Sequence, residues 1–178
     1  MRPVLIVVSL FALCFNLTDA QDELPKCQDR PTWIDPPWVN VYEWCLERVL
    51  KDDSAGELGY TALATAPDGT LYAARPYTGE VLALTDEDGD DLPETPRVVA
   101  DGLTLPNGLT FYEGALYISG AQHIYRMDGD YQVETLVDDL PWGAGFWTGG
   151  LTIGPDERIY VAIGATCDYC EPSDTARG

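Results

Sequence analysis

Two cysteines late in the sequence, Cys167 and Cys170, have the spacing C-x-x-C. Such a pair could attach haem, bind zinc, carry out thiol redox chemistry or form a loop disulfide. Haem attachment needs a histidine directly after the second cysteine, where Glu171 stands, and zinc needs two more soft ligands, although His123 is the sole histidine. A thioredoxin-like motif should open a helix, whereas acidic and proline-containing residues follow here. The favoured interpretation is a disulfide.

A run of carboxylates, DEDGDD, begins at Asp86. Asp86, Asp88 and Asp90 could supply several oxygen ligands to Ca2+ within one bend, and Glu94 could complete the shell. The usual EF-hand loop is excluded because Arg97 stands at the twelfth position, where a glutamate is needed. A calcium loop and a solvated acidic loop remain equal alternatives.

A side-chain amide lies in the segment PNGL, at Asn107. An Asn-Gly pair suits a tight turn on conformational grounds, so the pattern predicts a turn. The isolated His123 is interpreted as a solvated loop residue. Trp142 and Trp147 are interpreted as packing or funnel-lining residues, with stacking on a sugar ring as the alternative.

The first twenty residues have the pattern of a secretory signal peptide. A positive start at Arg2 precedes an apolar run from Val4 to Phe15, and a polar stretch ends on the small residue Ala20. The run is short for a membrane span. We therefore expect cleavage near Ala20 and a secreted or periplasmic protein without membrane insertion.

Export changes the interpretation of the cysteines. Cys14 would leave with the signal peptide, so an even number would remain in an oxidising compartment. Proximity along the chain predicts two pairs, Cys27 with Cys45 and Cys167 with Cys170.

The charge balance limits the partners. The chain has 30 acidic and 10 basic residues among 178, a formal charge of −20. Nucleic acid and anionic membranes would be repelled, so neither is expected to bind. The acidity would suit a saline habitat or cation binding, and is by itself most often a solubility feature. About 158 residues remain after the signal peptide, a usual size for one domain.

Three segments repeat one pattern: a short apolar strand, a tight turn, and a strand carrying Leu-Tyr or Ile-Tyr. Their tyrosines, Tyr72, Tyr117 and Tyr160, are 45 and 43 residues apart. A repeat of about 40–45 residues made of short strands indicates a β-propeller blade. Alternation predicts that Leu71 and Ala73 face one way, and Tyr72 and Ala74 the other. Further strands are predicted at Glu80–Leu84, Val98–Ala100, Ile124–Met127 and Val133–Val137.

The predicted fold class is therefore all-β, with residues 1–20 as signal peptide, 21–42 as an irregular segment and 43–178 as propeller blades. Val39–Leu50 fits a helix or a strand about equally well. The chain accounts for about three blades, whereas closed propellers have about four to eight. We therefore expect an incomplete part of a roughly six-bladed propeller; a complete chain would need a partner or oligomer to close the ring.

The runs GLTLPNGLTFYEGALYISGAQHIYRM and LPWGAGFWTGGLTIGPDERIYVAIGATCDYCEPSD resemble the glucose/sorbosone dehydrogenase family. The resemblance covers roughly Glu43 to Gly178 and is strongest from Gly102 onward. The Cys-x-x-Cys-Glu segment resembles its sorbosone-type branch. The resemblance to the family implies an exported propeller that uses pyrroloquinoline quinone (PQQ) to oxidise a sugar or related alcohol.

In that family a histidine in a pattern His-x-Thr-x-x-Leu acts as the general base, because imidazole titrates near the working pH. The pattern falls on Phe146 to Leu151, so Phe146 occupies the base position and cannot accept a proton. Asn107, Trp147 and Thr148 are candidates to line the funnel. The resemblance assigns no PQQ-contacting residue within this chain.

Three functions remain open at this stage. The first is a PQQ-dependent sugar dehydrogenase, and the second is a non-catalytic ligand- or partner-binding propeller of the same lineage, which Phe146 favours. The third follows from a short similarity of PNGL to gluconolactonase-like propellers, where such an asparagine binds a divalent metal at the axis. That similarity implies a metal-dependent lactone hydrolase using Asn107.

Overall fold

A computed structural model describes Trp33 and residues 46–50, 59–89, 92–93, 96–142 and 148–164. The chain divides into two compact units, residues 1–48 and 49–178. In the first unit, Trp33 and Glu47 form an isolated antiparallel bridge. Of the segment predicted as helix or strand, residues 46–50 are described and contain no helix. All four cysteines of the predicted disulfides lie outside the described residues.

The second unit contains three antiparallel sheets whose strands follow the chain order. The first sheet comprises β1 (Ala62–Thr65), β2 (Leu71–Arg75), β3 (Glu80–Leu84) and β4 (Arg97–Ala100). The second sheet comprises β5 (Pro106–Tyr112), β6 (Ala115–Gly120), β7 (His123–Met127) and β8 (Val133–Val137). The third sheet has two strands within the described residues, β9 (Leu151–Ile153) and β10 (Ile159–Val161).

The repeating tyrosines occupy matching positions. Each lies on the second strand of its sheet, opposite the first strand, in the pairs Tyr72–Ala64, Tyr117–Thr110 and Tyr160–Thr152. The strands predicted from alternation are confirmed, with β4 and β7 each beginning one residue earlier than predicted. Matching places in successive sheets confirm that the 45- and 43-residue periods describe one structural unit.

The hairpins that join the first two strands differ in length. Five residues connect β1 to β2 and β9 to β10, whereas two, Glu113 and Gly114, connect β5 to β6. Both of these have positive φ, 47° and 77°, the conformation that a two-residue hairpin turn requires. In the longer turns Gly69 (φ 94°) and Glu157 (φ 62°) take the left-handed position. The second sheet therefore has the shorter turn at this end.

The three first strands lie side by side. β5 packs against β1 and β2 on one side and against β9 on the other. Antiparallel meanders whose first strands are neighbours have the arrangement of successive propeller blades. Within the described residues there is no helix, so the all-β, partial-propeller prediction is confirmed. No described helix is long and apolar enough to span a membrane.

The main core of the described part lies between the first and second sheets. It joins buried side chains of β2 and β3 to those of β5, β6 and β7, among them Ala74, Val81, Leu116, Ile118 and Met127. Leu116 and Ile118 are 1% and 0% exposed. Full burial of one such side chain contributes about 1.5–3 kcal/mol, so this contact fixes the two sheets against each other.

Candidate functional site

Asn107 lies in a bulge at the start of β5. Pro106 pairs with Gly120 and Gly108 pairs with Ser119, and the register shifts between them, leaving Asn107 as the extra residue. Leu105, just before the strand, has a positive φ of 47°. The tight turn predicted for Asn-Gly is therefore wrong, because these residues continue the strand. A bulge redirects the side chain at the end of a strand.

Two hydrogen bonds connect this end of the second sheet to the segment leading into β9. Asn107 Nδ2 donates to the Thr148 carbonyl oxygen at 3.1 Å. Ser119 Oγ donates to the Gly149 carbonyl oxygen at 2.6 Å. The Nδ2 contact fixes the amide, and within the described residues no donor reaches Asn107 Oδ1. Asn107 therefore presents an amide oxygen that can still accept a hydrogen bond or bind a cation.

Close backbone approach makes these contacts possible. A Cβ at residue 108 would lie 2.7 Å from the Gly149 carbonyl oxygen, so only glycine fits without a shift. The sequence shows a glycine at this position, but not what approaches it, since Gly149 is 41 residues further along the chain. Asn107 and Thr148, two of the three funnel candidates, are thereby brought together.

Thr148 is 1% exposed, and its Oγ1 is buried without a hydrogen-bond partner in the described structure. Its backbone oxygen, rather than its side chain, contacts Asn107. The other funnel candidate, Trp147, and the base position, Phe146, lie outside the described residues. The role of Phe146 as the replacement for a base stays a prediction.

The single histidine lies at the same end of the second sheet. Gly120 pairs with Pro106 on one side and with His123 on the other, which places His123 two strands outward from the bulge. Its ring stacks on Tyr125 at 5.3 Å and 16°, and its Nδ1 is buried without a partner in the described structure. His123 is half-buried and begins β7, so interpreting it as a solvated loop residue was wrong. The alternation of residues did not reveal that His123 belongs to β7, because only two residues separate it from the end of β6.

The acidic loop follows β3, at the opposite end of the first sheet from Glu80. Asp86 Oδ1 accepts a hydrogen bond from the Gly89 backbone nitrogen at 2.7 Å, a contact that closes the turn. Asp90 and Glu94 lie outside the described residues. Within the described residues, no group of three histidine, cysteine, aspartate or glutamate side chains could hold a metal. The calcium loop stays a prediction.

No protein-family model matches the sequence, and no curated protein matches it. Several solved structures, however, are similar to this chain. The virginiamycin B lyase of Staphylococcus aureus shares 16% identity over 69% of this chain and 40% of its own, with a TM-score of 0.50. A gluconolactonase from Xanthomonas campestris shares 22% identity over 60% of this chain and 35% of its own, with a TM-score of 0.49.

A third similar structure is an oxidoreductase (glucose dehydrogenase) from Thermus thermophilus. It shares 19% identity over 61% of this chain and 40% of its own, with a TM-score of 0.36. The chain thus spans about two fifths or less of the length of these three proteins. At such identities the likeness concerns the fold alone.

Proposed function

We propose that the first strands β1, β5 and β9, at the end where Asn107 lies, form part of a site for a sugar-like ligand in an exported propeller of the glucose/sorbosone dehydrogenase type. The hydrogen bond between Asn107 Nδ2 and the Thr148 carbonyl oxygen carries this proposal, because it joins two funnel candidates. Thr148 also lies within the segment from Phe146 to Leu151, onto which the family's His-x-Thr-x-x-Leu pattern falls. Amide and carbonyl groups can fix the hydroxyls of a sugar at such a site.

Sugar oxidation with PQQ is the reaction that the resemblance implies. PQQ, when bound, would accept the hydride, and the protein would have to supply a base for the hydroxyl proton. Phe146 cannot take that proton. His123, the sole imidazole of the sequence, lies on β7, two strands from Asn107, and its ring stacks on Tyr125. The residues described do not fit a complete PQQ site. The chain's own contribution would be to bind and orient the sugar.

Lactone hydrolysis is the second candidate function, favoured by the fixed amide of Asn107. Amide oxygens are ligands for Ca2+ and Mg2+, and the Nδ2 contact leaves Oδ1 without a described protein donor. Carboxylates from outside the described residues would have to complete the metal's ligand shell. A propeller that binds its ligand without turnover is the remaining outcome, favoured by Phe146.

Assays on the full-length secreted protein separate these functions. PQQ-dependent dye reduction with sugar substrates, with and without Ca2+, would support the dehydrogenase. Lactone hydrolysis that needs a divalent metal and no PQQ would support the hydrolase. Sugar binding without either reaction would support a binding protein. Absence of sugar and lactone binding by calorimetry would overturn the proposal.

A matched pair of variants tests the position of the site. Asn107→Leu should weaken sugar or lactone binding about tenfold, because it removes one well-oriented polar contact, worth about 1.4 kcal/mol. Gln132→Leu removes an exposed amide from the β7–β8 turn, whose Nε2 contacts only a neighbouring backbone oxygen, and should bind normally. Equal effects of the two substitutions would contradict a site at Asn107.

Export and the disulfides belong to the same proposal. Amino-terminal sequencing of the secreted protein should find a start near Gln21. Unreduced peptide mapping should join Cys167 to Cys170 and Cys27 to Cys45. A free thiol at any of the four would contradict the proposed pairing.

A further inference from the structure

A cavity lies at the end of the first and second sheets that is opposite Asn107. Its volume is about 270 Å³, and it opens between the β1–β2, β5–β6 and β7–β8 turns. Gly114 of the short β5–β6 turn contributes no side chain to the rim, and a Cβ there would meet open space. This volume is just below the size range of most small-molecule sites, about 300–1,000 Å³, and therefore suits a small ligand. It is independent of the site proposed above.

The inner walls are aromatic and apolar. The rings of Tyr72 and Phe111 meet edge to face, with centroids 5.0 Å apart and planes at 66°. Leu116 and Met127 close the floor and are 1% and 2% exposed. Tyr131 lines the cavity from the β7–β8 side. Aromatic faces attract cations through the ring quadrupole.

Two carboxylates, Asp68 and Asp128, also line the cavity. Asp68 Oδ1 accepts a hydrogen bond from the Thr70 backbone nitrogen at 2.9 Å, which lowers the pKa of this carboxyl and keeps it charged. Asp128 Oδ1 accepts two, from the backbone nitrogens of Asp130 and Gln132, each at 2.9 Å. These backbone contacts orient each carboxylate through Oδ1. Both carboxylates are therefore held in fixed turns at the cavity.

The third sheet offers a comparison for Asp68. Asp156 occupies the turn position of Asp68, and its Oδ2 accepts a hydrogen bond from the Tyr160 hydroxyl at 3.0 Å. Arg158 adds an ion pair at 3.7 Å. In the first sheet the hydroxyl of the corresponding Tyr72 forms a hydrogen bond with Tyr131, and the negative charge of Asp68 also acts on it. Burial and this hydrogen bond raise the pKa of Tyr72 to about 12, so its hydroxyl stays neutral.

One positive group stands behind the cavity wall. The Arg97 guanidinium lies 4.5 Å from the centroid of the Tyr131 ring, and its Nη2 donates to the Tyr131 hydroxyl at 2.6 Å. Arg97 does not line the cavity, and the two lining carboxylates outnumber it. The Tyr131 ring is therefore already in contact with one cation.

We propose that this cavity binds a small organic ammonium ion, with its positive charge between the Asp68 and Asp128 carboxylates and its alkyl groups against Tyr72, Phe111 and Tyr131. Two carboxylates disfavour an anion, and the apolar floor disfavours a fully hydrated metal ion. A neutral alkyl compound of the same shape would fill the floor but gain nothing from the carboxylates.

Calorimetry with choline on the full chain tests the charge requirement in the unmodified protein. Choline should bind at least about tenfold more tightly than 3,3-dimethylbutan-1-ol, which has the same shape without the charge. Raising the salt concentration should weaken choline binding, because the carboxylates lie near the mouth. Equal affinity for the two compounds, or no choline binding, would overturn the proposal.

Matched variants test the location. Asp68→Asn and Asp128→Asn keep Oδ1 as the acceptor of the backbone hydrogen bonds, and each should weaken choline binding about tenfold. Asp156→Asn is the control for the general acidity of the chain and should bind choline as the unmodified protein does. Equal weakening by all three would mean that choline responds to overall charge, and would overturn the proposal.

Discussion

Tyr72 and Tyr160 occupy the same place in their sheets, yet their surroundings differ. Tyr72 is 8% exposed, because the second sheet covers it, whereas Tyr160 is 52% exposed. The hydroxyl of Tyr72 interacts with Tyr131 of the next sheet, and that of Tyr160 with Asp156 of its own turn. The repeat thus fixes where a residue lies within a sheet. The neighbouring sheet decides whether that residue becomes core.

The largest expected difference in stability comes from truncating the side chains of Tyr72 and Tyr160. Tyr72→Ala should lower the free energy of unfolding by about 3 kcal/mol, because it leaves a cavity between two packed sheets. Tyr160→Ala should lower it by less than about 1 kcal/mol. Urea unfolding of both variants measures the difference. Equal losses would show that Tyr160 is as much part of the core as Tyr72.

Two glycines extend the comparison to the backbone. A Cβ at residue 120 would lie 2.8 Å from the Leu105 carbonyl oxygen, so Gly120→Ala should cost about 2 kcal/mol. A Cβ at residue 150, before β9, would meet no atom within 4 Å, and Gly150→Ala should change stability by less than about 0.5 kcal/mol. Thermal unfolding of the two variants checks this order. A larger loss at residue 150 would contradict it.

The contact between the second and third sheets should show a smaller effect. Ser119 is 0% exposed and bonds to the Gly149 carbonyl oxygen, so Ser119→Ala should cost about 1–2 kcal/mol by leaving that oxygen without its donor. Thr152→Ser, on the exposed side of the third sheet, is the control. Urea unfolding with no loss at Ser119 would mean that water replaces the hydroxyl.

The smallest expected effect is a dependence on alkaline pH. The pKa of Tyr72 is raised to about 12 in the folded protein, above the usual value near 10.0. The unfolded state therefore loses its proton first, and stability should fall as the pH rises from 10 toward 12. Denaturant unfolding at several pH values measures it. The difference between the unmodified protein and Tyr72→Phe isolates this group, and parallel curves would contradict the raised pKa.

The sequence predicted what depends on local pattern. Alternation and turn residues located the strands, and the spacing of the tyrosines revealed the repeat, because both depend on residues close together in the chain. It missed the bulge at Asn107, since Asn-Gly also favours a tight turn and only pairing with β6 distinguishes the two. Gly108 was visible in the sequence, but its contact with Gly149 depends on how the sheets pack.

The candidate site at Asn107 and the cavity between Asp68 and Asp128 were harder to predict from the sequence. Asn107 and Thr148 were proposed separately, and their hydrogen bond joins residues that no local pattern relates. Asp68 and Asp128 provided no signal, because each is typical of an ordinary turn. Their shared position arises from the packing of two sheets, which a single sequence does not express.

The two-residue turn at Glu113 and Gly114 has a consequence for diversification of this fold. The equivalent turns of the first and third sheets have five residues, so the short turn leaves open space beside the first sheet. Inserting three residues there would fill the space without disturbing a strand register. Hairpin length is thus a single heritable variable by which related chains could gain or lose a small-molecule pocket while keeping the same blades.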